Sequence, residues 1–293
     1  MPRWTIGTVE IETIIETDLT GILDVVIPEA NRAAVKQIRW LMPHFADANG
    51  VMSGYIQAFA IRTPTRRIVV DTCLGNDKDR DSVLPAWSRL QTNFLERLAA
   101  AGFPADEVDS VLCTHMHLDH VGWNTRLVNG RWVPTFPNAR YLFGRIEFDH
   151  WTKPPASGAS DGMSTEAQAL VNADSILPIV DAGLATFVDT DHRVCDEISL
   201  MPSFGHTPGH VSVRIASNGA SAVISGDFIH HPCQMAHPEW GSVADSDGPQ
   251  AVQTRKRIFA ELAGTPTLFI GTHFGGPTAG LIVRDGAAFR LQV

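Results

Sequence analysis

The densest group of potential metal ligands in the chain lies in segment 114–120, THMHLDH. It places three His and one Asp within six residues, in the pattern H-x-H-x-D-H. The preceding run 108–113 is short and mostly apolar, which predicts a buried strand. A regular helix turns about 100° per residue, so it would spread these four side chains around its axis. We therefore expect the ligands to stand on a loop at the end of a strand and to bind a divalent metal.

Three later segments also combine an apolar strand, a glycine and a potential ligand. They supply His210, Asp227 and His273. With the loop, the chain then offers seven ligands, five His and two Asp. A single tetrahedral zinc takes four ligands, so seven predict two metal ions that share a bridging carboxylate.

Composition and charge exclude several kinds of partner. The 293 residues carry 23 Lys and Arg against 32 Asp and Glu, a net charge of −9, which disfavours nucleic acid. No apolar run reaches the roughly 18–20 residues of a spanning helix, so we expect no membrane insertion. The N-terminal residues lack a signal-peptide profile and the four cysteines form no CxxC pair, which predicts a cytoplasmic protein with reduced thiols.

Hydrophobic periodicity predicts β-rich halves with helices outside them. We expect a strand over 4–15, a helix over 28–41 with Pro in its first turn, an amphipathic helix over 85–101, and an exposed loop over 154–162. Because ligands occur on both sides of that loop, it is not a domain boundary. The sequence predicts one domain, 1–293, whose first 50 residues form an extension that lines the pocket or a dimer contact.

Four motifs together resemble the metallo-β-lactamase superfamily. They are THMHLDH (114–120), GHTPGH (205–210), SGD (225–227) and GTH (271–273), in the family's order. The resemblance runs from about residue 55 to the C-terminus. It implies an αββα sandwich, with two facing mixed β-sheets, outer helices and a dinuclear site at one sheet edge.

The resemblance also implies roles for individual residues. One metal would be held by His115, His117 and His210, and the other by Asp119, His120 and His273, with Asp227 as the bridge. His206 would orient its loop, and Asp71 would support a ligand from the end of an apolar strand. Zinc suits imidazole and carboxylate ligands, and manganese, iron and cobalt fit them too.

Within the superfamily, the chain looks most like the quorum-quenching lactonase and methyl-parathion-hydrolase group. Asp227 and the missing signal peptide separate it from secreted β-lactamases, and His117 separates it from flavo-diiron proteins. The nuclease branches carry RNA-binding modules that the acidic charge disfavours. The C-terminal part of the chain resembles the methyl-parathion-hydrolase-like enzymes, because segment 245–247 is followed by a predicted helix. The lactonases have a Tyr three residues after the bridging Asp, where this chain has His230, which is able to donate a hydrogen bond or a proton.

The resulting prediction is a dinuclear-metal hydrolase that opens a lactone or cleaves a carboxylic ester through a metal-bridging hydroxide. Asp119 would carry the proton to the leaving group, and His230 would assist. Phe148, Trp151 and Trp240 would form apolar pocket walls. The alternatives are a phosphotriesterase, a glyoxalase II-like thioesterase and a metal-binding module without catalysis. A small-molecule substrate and a homodimer are further expectations from the family.

Overall fold

The computed structural model describes residues 2–153 and 164–293, so the loop predicted at 154–162 lies outside the described residues. The chain divides into two compact units. The first unit comprises residues 3–16 and 56–190, and the second comprises 17–55 and 191–293. In the described ranges, no helix is long and apolar enough to cross a membrane.

The first unit contains a seven-stranded mixed sheet in the order β1-β2-β3-β4-β5-β8-β9. Its strands are β1 (Arg3–Ile6), β2 (Val9–Asp18), β3 (Tyr55–Arg62), β4 (Arg67–Val70), β5 (Ser110–Leu112), β8 (Arg140–Gly144) and β9 (Ala185–Val188). A separate hairpin joins β6 (Thr125–Val128) to β7 (Arg131–Pro134). Strands β4, β5, β8 and β9 run parallel to one another. The carboxyl ends of parallel strands lie at the same edge of a sheet. Residue 71, which follows β4, therefore lies close to segment 114–120, which follows β5 and is called the metal loop below.

The second unit contains a six-stranded mixed sheet in the order β10 to β15. The strands are β10 (Ile198–Pro202), β11 (Val211–Ser217), β12 (Ala220–Ile224), β13 (Leu268–Ile270), β14 (Ala279–Asp285) and β15 (Ala288–Gln292). Strands β10 and β12 each run antiparallel to β11, while β13 runs parallel to β12. The segments that follow β10, β12 and β13 therefore leave the sheet at one edge. Those segments carry the GHTPGH, SGD and GTH motifs.

The helices are mostly short. Those of the first unit are α3 (Phe94–Ala100), α4 (Leu118–Val121), α5 (Arg145–Thr152), α6 (Thr165–Val171) and α7 (Leu177–Asp181), with a π-helical stretch at Asn172–Ile176. Those of the second unit are α1 (Leu23–Val26), α2 (Arg32–Val35), α8 (Cys233–Ala236) and α9 (Gly248–Leu262). Single 3₁₀ turns occur at Arg39–Leu41, Pro85–Trp87, Ala105–Glu107, Gly122–Asn124 and Gly226–Phe228.

Three predicted elements are wrong in detail. The strand predicted over 4–15 is the hairpin of β1 and β2, which turns at Gly7 with φ 60°. The helix predicted over 28–41 is broken because Ile38 has ψ 77°, which leaves only α2 and one 3₁₀ turn. The helix predicted over 85–101 is interrupted at Arg89, whose φ of 50° is left-handed, so the α-helix begins only at Phe94. The spacing of apolar residues correctly indicated that each region is structured, but it did not indicate where the backbone turns or breaks within the region.

Candidate metal centre

In the first unit, the metal loop follows β5 as predicted, but its second half is helical. Helix α4 begins at Leu118, so Asp119 and His120 lie on one helical turn while His115 and His117 precede it. The ring centroids of His115 lie 4.6 Å from His117 and 4.0 Å from His120. Asp119 Oδ2 lies 3.7 Å from His120 Nε2. The change from extended backbone to one helical turn directs the four predicted ligands into one small volume.

Asp71 holds this loop by hydrogen bonds. Its φ of 57° is left-handed, and its buried carboxylate accepts the Thr114 backbone N–H at 2.8 Å and the Thr114 hydroxyl at 2.9 Å. The other contact is with His120 Nδ1, 2.9 Å from Oδ2. Because the Thr114 hydroxyl donates to Asp71, the 3.1 Å contact between Thr114 Oγ1 and His115 Nδ1 requires the imidazole to donate. Both His115 and His120 thus carry a proton on Nδ1 and present Nε2 as a lone pair.

Segment 72–75 packs directly against the end of the metal loop. A Cβ on Gly122 would lie 1.8 Å from the Leu74 carbonyl oxygen, so only glycine fits there. The buried Glu16 carboxylate accepts the Leu74 N–H at 2.7 Å and the Trp123 indole N–H at 2.6 Å. It also accepts the Thr92 hydroxyl at 3.0 Å. Burial raises the pKa of Glu16, although these hydrogen bonds oppose the shift.

In the second unit, histidines surround the carboxylate of Asp227. Three Nε2 atoms approach Asp227 Oδ2, His273 at 3.0 Å, His230 at 3.4 Å and His206 at 3.8 Å. His206, Asp227 and His230 also form a group whose ligand atoms all lie within 4.8 Å of one another. All four side chains are buried. Imidazole nitrogens and carboxylate oxygens are the types of atom that Zn²⁺ binds.

Two of these histidines are oriented from their other nitrogen. His273 Nδ1 lies 2.9 Å from the Tyr55 carbonyl oxygen, which only accepts, so Nδ1 carries the proton. A neutral His273 ring would then place two lone pairs against each other at 3.0 Å, so a proton or a metal ion must lie between Nε2 and Asp227. His206 Nδ1 lies 3.0 Å from Asp245 Oδ1, which orients its Nε2 in the same way. The donor set of this unit therefore fits a divalent cation.

His210 differs from His206 in a way that the sequence prediction did not contain. Its Nε2 accepts the Asp227 backbone N–H at 2.7 Å, and its Nδ1 lies 2.8 Å from the Ser203 hydroxyl. A backbone N–H only donates, so Nε2 is the acceptor and Nδ1 carries the proton. Both nitrogens are occupied within the protein, whereas the prediction made His210 the ligand and His206 the loop-orienting residue.

His230, which is predicted to take the place of the lactonase tyrosine, has no such anchor. Its Nδ1 is buried without a hydrogen-bond partner among the described residues, and its ring stacks on His273 at a centroid distance of 5.9 Å. Burial lowers the pKa of His230 below its usual value, opposed by the charge of Asp227. Its neighbour His231 donates from Nε2 to the Phe45 carbonyl and is a structural residue.

The three predicted pocket aromatics have different neighbours. Trp151 lies beside His117, with ring centroids 5.2 Å apart. Phe148 packs on Phe187 at 4.5 Å, and Trp240 stacks on His237 at 4.1 Å. Of the three, Trp151 has a direct ring contact with a predicted ligand in the same unit.

These residues belong to a known family. The sequence model of the metallo-beta-lactamase superfamily matches residues 53–280, which is well over half of the chain, and the protein is a member of that superfamily. Membership and the two large mixed sheets with their helices confirm the predicted fold class and the predicted class of metal-dependent hydrolase.

Solved structures with the same fold include enzymes of the predicted group. The chain is 24% identical to AidC, a dizinc quorum-quenching lactonase solved with a product, with a TM-score of 0.81 and coverage of 99% of this chain and 96% of that one. It is also 24% identical to the hydrolase AbOPH, with a TM-score of 0.78 and the same coverage. A probable metal-dependent hydrolase from Staphylococcus aureus is 19% identical, with a TM-score of 0.73 and 99% coverage of both chains. No curated protein matches the chain significantly.

Proposed function

We propose that the protein is a dinuclear metal hydrolase that opens lactones or cleaves carboxylic esters. The observation that carries this proposal is that four of the histidines donate a hydrogen bond from Nδ1, which leaves Nε2 of each ring available to a metal ion. In the first unit, His115 and His120 donate from Nδ1, and in the second unit His206 and His273 do the same. Anchoring one nitrogen of each imidazole fixes the other as a metal ligand.

The proposed ligand set is the predicted one with a single exchange. His206 replaces His210, because His210 Nε2 already accepts the Asp227 N–H. One ion would be held by His115, His117 and His206, and the other by Asp119, His120 and His273, with Asp227 bridging. Zinc is the proposed ion, since imidazole and carboxylate are ligands that it prefers and AidC is a dizinc enzyme.

When bound, two such ions lower the pKa of a shared water and polarise the substrate oxygen. The protein's own residues supply the proton transfers and the orientation. Asp119 keeps 16% of its side chain exposed, against 1% for His120, so it is the loop ligand best placed to exchange a proton with the leaving group. His230 Nε2 lies 3.4 Å from Asp227 Oδ2, and we assign it the role of donor to the substrate carbonyl.

The predicted apolar wall also has support. The Trp151 indole lies against the edge of His117 and donates to Glu147 Oε2 at 2.7 Å, while its carbonyl accepts the Asn172 amide at 2.7 Å. A buried aromatic ring fixed beside a ligand suits an apolar acyl group. The lactone class is further supported by neighbours solved with N-hexanoyl-homoserine products.

The test is a panel of initial hydrolysis rates per bound metal ion. It contains short- and long-chain acyl-homoserine lactones, an aromatic lactone, an aryl ester, a phosphotriester and a glutathione thioester. We expect lactones or the ester to be preferred by several orders of magnitude. A dominant phosphotriester or thioester rate would contradict the proposed substrate class, and no turnover with two ions bound would contradict the proposed hydrolase.

His230 is tested separately with paired variants. We expect His230→Phe to lower kcat/KM for the preferred lactone by about 100-fold, because it removes a donor without removing a metal ligand. His230→Tyr restores a donor and is expected to recover part of that loss. Metal content should stay at the wild-type value in both variants, and an unchanged kcat/KM in His230→Phe would refute the assigned role.

A further inference from the structure

Asp245 is a buried carboxylate in contact with a proposed metal ligand. Its side chain is 2% exposed, and its Oδ1 lies 3.0 Å from His206 Nδ1. Its Oδ2 accepts the Ser242 backbone N–H at 3.0 Å. Asp245 therefore uses one oxygen to hold its own loop and the other to hold the His206 ring.

The loop that carries Asp245 is tied to the loop that carries His206. The Ser246 N–H donates to the His206 carbonyl at 2.9 Å, and the Asp247 N–H donates to the Gly205 carbonyl at 2.8 Å. Gly205 has φ 124°, and a Cβ there would lie 2.2 Å from the Ala251 nitrogen of helix α9. The backbone on both sides of the Asp245–His206 contact is thus fixed.

Arg255 links this pair to the segment of Asp227. Its guanidinium is fully buried, lies 3.5 Å from Asp245 Oδ2 and donates to the Phe228 carbonyl at 3.1 Å. It also donates to the Pro238 carbonyl at 2.9 Å. One buried cation therefore holds both Asp245 and the residue that follows the bridging aspartate.

Building on the proposed function, we propose that Asp245, held by Arg255, is a positioning residue for metal binding through His206. It accepts the Nδ1 proton, which selects the tautomer with a lone pair on Nε2 and directs that atom toward Asp227. A carboxylate in this position also makes the imidazole a stronger donor to the metal. In the first unit, Asp71 holds His120 in the same way.

The test measures zinc affinity by chelator competition and the visible absorption of the Co²⁺-substituted protein. We expect Asp245→Ala to weaken binding of one of two ions by roughly 10- to 100-fold and to alter the Co²⁺ spectrum. Asp245→Asn keeps an oxygen acceptor of the same shape and is expected to recover part of the affinity. Asp247→Asn is the matched control, because Asp247 lies in the same loop and caps α9 through Gln250 without holding His206.

Each outcome supports or overturns a distinct statement. Wild-type zinc affinity and spectrum in both Asp245 variants, even with a lower melting temperature, would show that Asp245 is only structural. An equal loss in Asp247→Asn would assign the effect to the loop and overturn the proposal. If wild-type protein bound no zinc or cobalt, the proposed function itself would fail. If Asp245→Ala does not fold, Asp245→Asn decides, with an expected loss of affinity smaller than that of a ligand deletion.

Discussion

Lys78 offers a stability test that is independent of the metal ligands. Its ammonium group is fully buried and donates to Thr125 Oγ1 at 2.6 Å and to the Asp174 carbonyl at 2.7 Å. It also lies 3.8 Å from the centre of the Trp132 ring. Burial lowers the pKa of Lys78 from 10.5 to about 7, opposed by the charge of Asp174 and reinforced by that of Arg80.

The sign and size of the effect follow from proton linkage. Between pH 7 and 10.5 the unfolded chain keeps the lysine proton and the folded protein does not, so the free energy of unfolding rises with pH. For a folded pKa of about 7, the rise from pH 7 to pH 9 is about 2 kcal/mol. Below pH 7 both states are protonated, and the contribution of Lys78 becomes flat.

The perturbation is Lys78→Met, and the assay is urea unfolding followed by circular dichroism at pH 7, 8 and 9. We expect the wild-type protein to gain about 2 kcal/mol over this range relative to the variant, which lacks the titrating group. Lys153→Met is the control, because that lysine is 67% exposed and pairs with Asp149 at the surface. Parallel pH profiles for wild type and Lys78→Met would refute the reasoning.

Four further substitutions and one control test the site and its support. His206→Ala is expected to lose one of two zinc ions per chain by elemental analysis. His210→Ala is expected to keep both ions but to lose about 1–3 kcal/mol of unfolding free energy, because the Asp227 N–H loses its acceptor. The reverse pattern would show that His210 is the ligand. Glu16→Gln replaces an oxygen that accepts hydrogen bonds with an amide group that faces a donor, and it should cost about 2 kcal/mol in urea unfolding. Wild-type stability would contradict this account. Gly122→Ala should cost about 3 kcal/mol or more by the same assay, because its Cβ meets a backbone oxygen. Gly248→Ala, with open space around it, is the control for Gly122 and should be nearly neutral.

Much of the fold was predictable because the predicted ligands follow directly after the ends of strands. Short apolar runs such as 221–225 and 267–270 end in glycine and a ligand, and the strands β12 and β13 lie there. Hydrophobic spacing does not show where a helix is broken, however. The left-handed φ of Arg89 accompanies its salt bridges to Asp79 and Asp81, which no periodicity reveals.

The sequence did not show that His206 and His210 have different hydrogen-bond partners, and which of them binds a metal stays a proposal. Both lie in GHTPGH, but His210 contacts Ser203 and the Asp227 N–H, whereas His206 contacts Asp245. Asp245 is 39 residues from His206, so no local spacing connects them. The single domain, the homodimer and the cytoplasmic location stay predictions.

The most direct test of the dinuclear hydrolase is a titration of the metal-stripped protein with zinc, with lactone hydrolysis measured at each step. We predict little turnover without zinc and a maximum rate at two ions per chain, reversed by a chelator and restored by added zinc. A full rate at one ion per chain, or turnover that is insensitive to complete zinc removal, would contradict the account.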